Sequence, residues 1–503
     1  MFTVRIAAMS SISRLKWALI GSAFAFAVPS VPVSAPAAAA APTQPASQRM
    51  NVLFIISDDL RSGGAFGSSE VRTPNIDHLA ARGVSFRDAH AQFPLCAPSR
   101  ASLLTGLRPN SVRVYDLTTP VRGTRPNLVT LPQYFRQNGY FSARVGKLYH
   151  QGVPGMIGLP VASDLHDDPA SWDVAFNPSG ADKDAQRTGR ITNLTPRLGY
   201  GVGFAYLADE SNAPQTDELV ASKTIELINQ QRDRPFFIAA GFYRPHVPEV
   251  APKRFFDLYP NIAFKPESQA NKEAVPRIVQ GPAYDYTGRA ANALTPEQQR
   301  EFVRSYYAST TFMDEQVGRI LDGLEKSGVA DKTIVVFTSD HGFNLGEHGS
   351  WQKTSLWNES TRVPLIIYMP KAKGNGRASN RLVELLDLYP TLTDLAGLQV
   401  PAQVEGRSLR PLIAKPNDRR WKHPALSQVA GGQSVRYENW RYSEWTKNGN
   451  KTVELYDLKK DPREYRNLAG DPHFAQVMAR LQKMLPGDAP AYTGPKLPPE
   501  RGD

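Results

Sequence analysis

The five residues Cys96-Ala97-Pro98-Ser99-Arg100 contain the only cysteine of the chain. With no second thiol, an internal disulfide and a four-cysteine zinc site are both excluded, so the sulfur is either an inert small hydrophobe or a site of chemistry. Pro98 suits the first turn of a helix, where its missing N–H costs nothing, and the chain can continue helically to Leu104 until Gly106 stops it. The side chain at 96 then faces free backbone N–H groups. An anion held there gains from those donors and from the helix dipole, and Arg100 adds a fixed positive charge one turn along.

Asp58-Asp59 and Asp340-His341 each follow an apolar run that reads as a buried strand. The ends of parallel strands lie beside one another, so the two pairs can converge on one cation. Carboxylate oxygens suit Ca2+ or Mg2+, whereas imidazole is not a typical calcium ligand. Taken alone, each pair has the ordinary reading of a turn or helix cap. Lys147 and His150 fit on one turn after a further strand, and His246 lies in the proline-stiffened loop Tyr243-Arg244-Pro245-His246-Val247-Pro248, which could hold an imidazole as a general acid. Lys353 follows Gly346-Glu347-His348-Gly349-Ser350-Trp351-Gln352. By themselves these read as a solvated lysine or a structural histidine.

The elements that must position these residues are legible as periodicity. Residues 51–56, 140–145, 235–240 and 333–338 read as strands, and residues 74–82, 131–138, 217–231 and 297–326 as helices. In the longest helix Phe302, Tyr306, Ser309, Met313, Val317, Ile320 and Leu324 form one core stripe. Strands alternating with helices predict a layered α/β domain with a large, mostly parallel or mixed sheet, its site at the strand carboxyl ends. From about residue 416 onward, short alternating segments and a helix over 474–484 predict a small α+β unit with antiparallel strands.

The pattern Cys96-x-Pro98-Ser99-Arg100 followed by Leu104-Thr105-Gly106 resembles the signature of the type I, formylglycine-dependent sulfatases. Further stretches are similar to the iduronate-2-sulfatase branch of that family: Asp58-Asp59-Leu60-Arg61, Val114-Tyr115-Asp116, Leu131-Pro132-Gln133-Tyr134-Phe135, Val145-Gly146-Lys147, Pro245-His246, Ser339-Asp340-His341-Gly342 and Leu455-Tyr456-Asp457-Leu458. Phe343 stands where that branch has tryptophan. The resemblance implies an alkaline phosphatase-like α/β/α sandwich. It implies a metal, Ca2+ with Mg2+ as the alternative, held by Asp58, Asp59, Asp340 and His341 with residue 96. It implies that a formylglycine-generating enzyme oxidises Cys96, giving a hydrate in which one hydroxyl attacks sulfur and the other later expels sulfate. Arg100, Lys147, His150, His246 and Lys353 become sulfate-binding and catalytic groups. The implied substrate is a sulfated sugar, with the 2-O-sulfate of a uronic acid in glycosaminoglycan oligosaccharides foremost. The rivals are a phosphonate monoester or phosphodiester hydrolase of the same superfamily, a sulfatase of another sulfated carbohydrate or small molecule, and a carbohydrate-binding protein with unmodified Cys96.

The first 48 residues carry Arg5, Arg14 and Lys16 but no acid, then run apolar into Ala- and Pro-rich sequence, the pattern of a secretory signal and linker. This predicts a periplasmic or secreted protein without a stable membrane anchor, with residues 49–415 as catalytic domain and 416–503 as C-terminal subdomain. Losing the leader lowers the net charge from +11 to about +8, still basic enough to favour anionic substrates. No basic stripe interleaved with aromatics points to nucleic acid.

Overall fold

Eight strands form the main sheet: β1 (Asn51–Ser57), β2 (Val84–His90), β3 (Phe141–Gly146), β4 (Val174–Phe176), β5 (Phe236–Gly241), β6 (Thr333–Ser339), β7 (Arg362–Tyr368) and β8 (Arg377–Glu384). Their order is β8-β2-β7-β6-β1-β5-β3-β4, and only β7 runs against its neighbours β2 and β6. The computed structural model describes residues 49–62, 70–150, 152–161, 166–268, 271, 275–280, 287–447 and 449–487. The leader and linker expected over residues 1–48 fall outside that range.

The central strand β1 is buried along its whole length and feeds both faces of the sheet. Val52, Phe54 and Ile56 pack on one side with helices α2 (Cys96–Thr105), α3 (Leu131–Gln137) and α6 (Leu388–Leu395). Leu53 and Ile55 pack on the other with α1 (Pro74–Arg82), α4 (Thr216–Gln231) and α5 (Pro296–Lys326). Alternation of side chains along a strand therefore builds the α/β/α sandwich, and each fully buried Val, Leu, Ile or Phe contributes on the order of 1.5–3 kcal/mol. The stripe predicted on α5 is buried as expected, and Gly106 ends α2 in the left-handed conformation.

Toward the C-terminus, β9 (Ala425–Val429), β10 (Gly432–Tyr437), β11 (Trp440–Lys447) and β12 (Asn450–Asp457) make an antiparallel meander. Val435, Tyr442 and Leu455 pack against Leu481 of α7 (Ala475–Gln482). The meander is stitched to the segment between β2 and the cysteine: Ser427 Oγ donates to the Ala91 carbonyl at 2.6 Å and Gln428 N–H to that of Gln92 at 2.8 Å. Among the described residues no helix is long and apolar enough to cross a membrane.

Candidate active site

The carboxyl ends of four neighbouring strands deliver the polar residues to one rim: β1 runs into Asp58-Asp59, β6 into Asp340-His341, β3 into Lys147, and β5 into the His246 loop. The loop after β2 brings in Cys96 at the start of α2, and the Lys353 segment follows the short hairpin Asn344–Leu345 with Trp351–Gln352. Successive residues of a strand point to opposite faces, so two adjacent aspartates need a break to share a site. Asp59 supplies it by adopting a left-handed backbone with φ 65°. Asp tolerates that region better than most residues. The Tyr306 hydroxyl, on α5, secures the turn by donating to the Asp59 carbonyl at 2.8 Å and accepting the Arg61 N–H at 3.0 Å.

Around Cys96 the cations and anions alternate. Arg100, fully buried, donates through Nη2 to Asp58 Oδ1 at 3.0 Å and through Nε to Asp340 Oδ2 at 2.9 Å. Its Nη1 donates to the Lys147 carbonyl at 2.6 Å, so the guanidinium braces carboxylates and backbone. Lys147 Nζ lies 2.5 Å from Asp58 Oδ2. Lys353 Nζ donates to both Asp59 oxygens at 2.8 and 3.0 Å and lies 3.2 Å from Cys96 Sγ. Ser99 Oγ donates to the Asp340 carbonyl. Burial opposes ionisation of Asp58, yet Lys147, His246, Arg100 and Lys353 together hold its carboxyl well below the usual range. Burial raises Asp59, and it lifts the Cys96 thiol well above its ordinary value, helped by the charge of Asp58. The sulfur is therefore a neutral thiol rather than a reactive thiolate.

Two imidazoles have their tautomers set by carbonyls, which can only accept. His341 Nδ1–H donates to the Gly342 carbonyl at 2.9 Å, leaving Nε2 3.4 Å from Cys96 Sγ and 3.3 Å from Asp59 Oδ1. His246 Nδ1–H donates to the Val247 carbonyl at 2.7 Å, with Nε2 3.8 Å from Asp59 Oδ2. Burial, then the charge of Lys353, pushes His246 well below its usual range, and burial and Lys147 do the same to His150. His150 is buried, within reach of the charges of Lys147, Asp58 and Lys353, with its ring 5.9 Å from that of His166.

Possible ligand atoms of Asp58, Asp59, Cys96 and His246 lie within 4.8 Å of one another, as do those of Cys96, Asp340 and His341. Three carboxylates and the open Nε2 of His341, compensated by Arg100 and two lysines, form a donor set that fits a hard divalent cation with one softer ligand. Asp58, Asp59, Arg100, His246, Asp340, His341 and Lys353 thus gather around Cys96, with Lys147 joined to them through Asp58. Sequence reasoning passed over the hydroxyl of Tyr306, read only as core, and the side chain of Arg244, read only as part of its loop. It also passed over Glu249, fully buried beyond Pro248, whose carboxyl burial pushes up to about 8 against the influence of Ser309 and Arg244.

Comparison with known proteins places the geometry in context. A family profile described as Sulfatase matches residues 50–398, and one described as N-sulphoglucosamine sulphohydrolase, C-terminal, matches residues 346–488. Iduronate 2-sulfatase of Mus musculus is 34% identical over 90% of this chain and 81% of its own length. The solved structure of a 2-O GAG sulfatase superposes with TM-score 0.66 at 25% identity, covering 87% of this chain and 91% of that one. The phosphonate monoester hydrolase of Agrobacterium radiobacter shares the fold with TM-score 0.70 at 24% identity, over 86% and 94% of the two chains.

Proposed function

The chain belongs to the sulfatase family, and from that premise we propose that it is an exo-acting enzyme removing the 2-O-sulfate of a uronic acid from glycosaminoglycan oligosaccharides. As a sulfatase it is a hydrolase of sulfuric esters. The observation that carries the reaction class is the meeting of Asp58, Asp59, Asp340, His341, Lys147 and Lys353 around residue 96. The similarity to iduronate 2-sulfatase and to a 2-O GAG sulfatase supports the choice of ester.

Asp58, Asp59, Asp340, His341 and residue 96 would hold a divalent cation, Ca2+ or Mg2+, which would supply positive charge for the sulfate oxygens. Formylglycine, made from Cys96 by a formylglycine-generating enzyme, supplies a hydrate hydroxyl for attack on sulfur, which the neutral thiol does not. Lys147 and Lys353 grip the sulfate oxygens from two sides. Arg100 keeps Asp58 and Asp340 fixed, so no carboxylate has to reorient as charge moves. As the S–O bond to the sugar breaks, His246 Nε2 delivers a proton to the departing oxygen. A sulfate ester brings negative charge that favours the imidazolium the ligand-free site disfavours. His150, beside Lys147, serves as base or orienting group.

Residues 49–415 act as the catalytic domain, 416–503 as a C-terminal subdomain, and the leader directs the protein to the periplasm or beyond. The test couples mass spectrometry of the Cys96 peptide with sulfate release from defined disaccharides. Cys96→Ala is expected to fold and melt like the parent while releasing no sulfate; substantial residual turnover would sink the mechanism. Because a phosphonate monoester hydrolase shares the fold, aryl sulfate is run against aryl phosphate diester, and faster diester cleavage would displace the sulfatase reading of the substrate.

A further inference from the structure

The loop holding His246 has few hydrogen-bond donors of its own, because Pro245 and Pro248 lack an N–H. Arg244 makes up the deficit from inside. Its guanidinium, with the residue only 2% exposed, donates from Nη1 to the His246 carbonyl at 3.1 Å and the Pro248 carbonyl at 2.9 Å, and from Nε to the Val250 carbonyl at 2.9 Å. Nη2 donates to Asp182 Oδ2 at 2.8 Å. The main chain of Arg244 is also fixed, its N–H donating to Asp217 at 3.0 Å and its carbonyl accepting from Ser57 Oγ at 2.9 Å. Asp182 is in turn immobilised at the start of α4, where its Oδ1 accepts from Thr216 N–H at 2.8 Å and Thr216 Oγ1 at 2.6 Å.

The carbonyl that takes the imidazole proton, that of Val247, lies in sequence between the two that Arg244 Nη1 holds. Moving the guanidinium therefore moves the acceptor that sets the ring's tautomer and angle. We propose that Arg244, anchored by Asp182, is the positioning residue that keeps His246 Nε2 aimed at the departing oxygen. The inference rests on the reading of His246 as general acid. Burying an ion pair is costly, and this one is situated where orientation matters more than stability.

A misaimed acid harms a sugar sulfate, whose alkoxide leaves poorly, far more than 4-nitrophenyl sulfate, whose phenolate leaves without help. Full-length wild type, Asp182→Asn, Arg244→Met and His246→Gln are assayed on a 2-O-sulfated disaccharide and on 4-nitrophenyl sulfate. For Asp182→Asn and Arg244→Met the loss of kcat on the disaccharide is expected to exceed that on the aryl ester by roughly tenfold or more, with KM little changed. Equal losses on the two esters, or none, overturn the proposal. If Arg244→Met does not fold, Asp182→Asn decides, since asparagine keeps the Oδ1 acceptor for Thr216. A leaving-group effect in His246→Gln but not in the other two refutes the role of Arg244 alone; its absence in His246→Gln refutes the acid, and the positioning role with it.

Discussion

Glu249 illustrates how a single buried acid marks the neighbourhood of the site. Burial lifts its carboxyl from an ordinary 4.5 to about 8, so the folded protein retains that proton to higher pH than the unfolded chain does. Its contribution to stability is therefore complete below about 4.5 and is lost as the pH rises through about 8. Glu249→Gln is expected to raise the melting temperature by a few degrees at pH 9 and not at pH 5; the same shift at both would mean that ionisation is not what costs stability. Of the site residues, those named by motif were legible because residue type and strand position coincide. The partners of Arg100 were not, since a sequence shows a cation one turn from Cys96 but not that its donors go to Asp58, Asp340 and a carbonyl. Arg244 was hidden for the same reason, its use being settled by carbonyls that any loop sequence possesses.

The strands place Lys147 through a contact between the ends of β3 and β5. A Cβ on Gly241 would lie 2.0 Å from the Lys147 carbonyl oxygen, and one on Gly146, at φ 74°, would lie 2.2 Å from the Gly241 carbonyl oxygen. Only two residues without side chains let these strand ends approach so closely. Gly241→Ala is expected to push Lys147 off Asp58, lowering sulfate release at least tenfold and costing about 1–3 kcal/mol of stability. Kinetics and a melting curve check both, and near-parental activity would show that the backbone yields without consequence. The four strands readable from sequence, β1, β3, β5 and β6, are adjacent in the sheet, where apolar runs are fullest. The others escaped for identifiable reasons. β2 carries Arg87 and Asp88, and edge strand β8 carries Arg377, Asn380 and Arg381. β7 is interrupted by Pro364, where its register against β2 shifts, and β4 has three residues.

Across the whole molecule the net charge, +11 for the full chain and about +8 without the first 48 residues, acts at longer range than any of these contacts. For an anionic oligosaccharide, kcat/KM is expected to fall several-fold between low salt and roughly 0.15 M, while kcat holds; a flat profile would leave the charge a matter of solubility. The C-terminal meander reaches the site by a route no local pattern announces. Arg441 of β11 donates to the Leu356 carbonyl at 2.7 Å and to Glu464, which accepts the Asn358 N–H at 3.0 Å, so late residues grip the segment that follows Lys353. Thr354 N–H donates to the Pro94 carbonyl at 3.1 Å, tying that segment to the approach to Cys96. Cys96 itself is 1% exposed, beyond the reach of any protein-sized catalyst once these ties have formed. The maturation proposed for it thus has a time limit: it belongs to the interval before the late residues, Arg441 and Glu464 among them, have tied the segment after Lys353 into place.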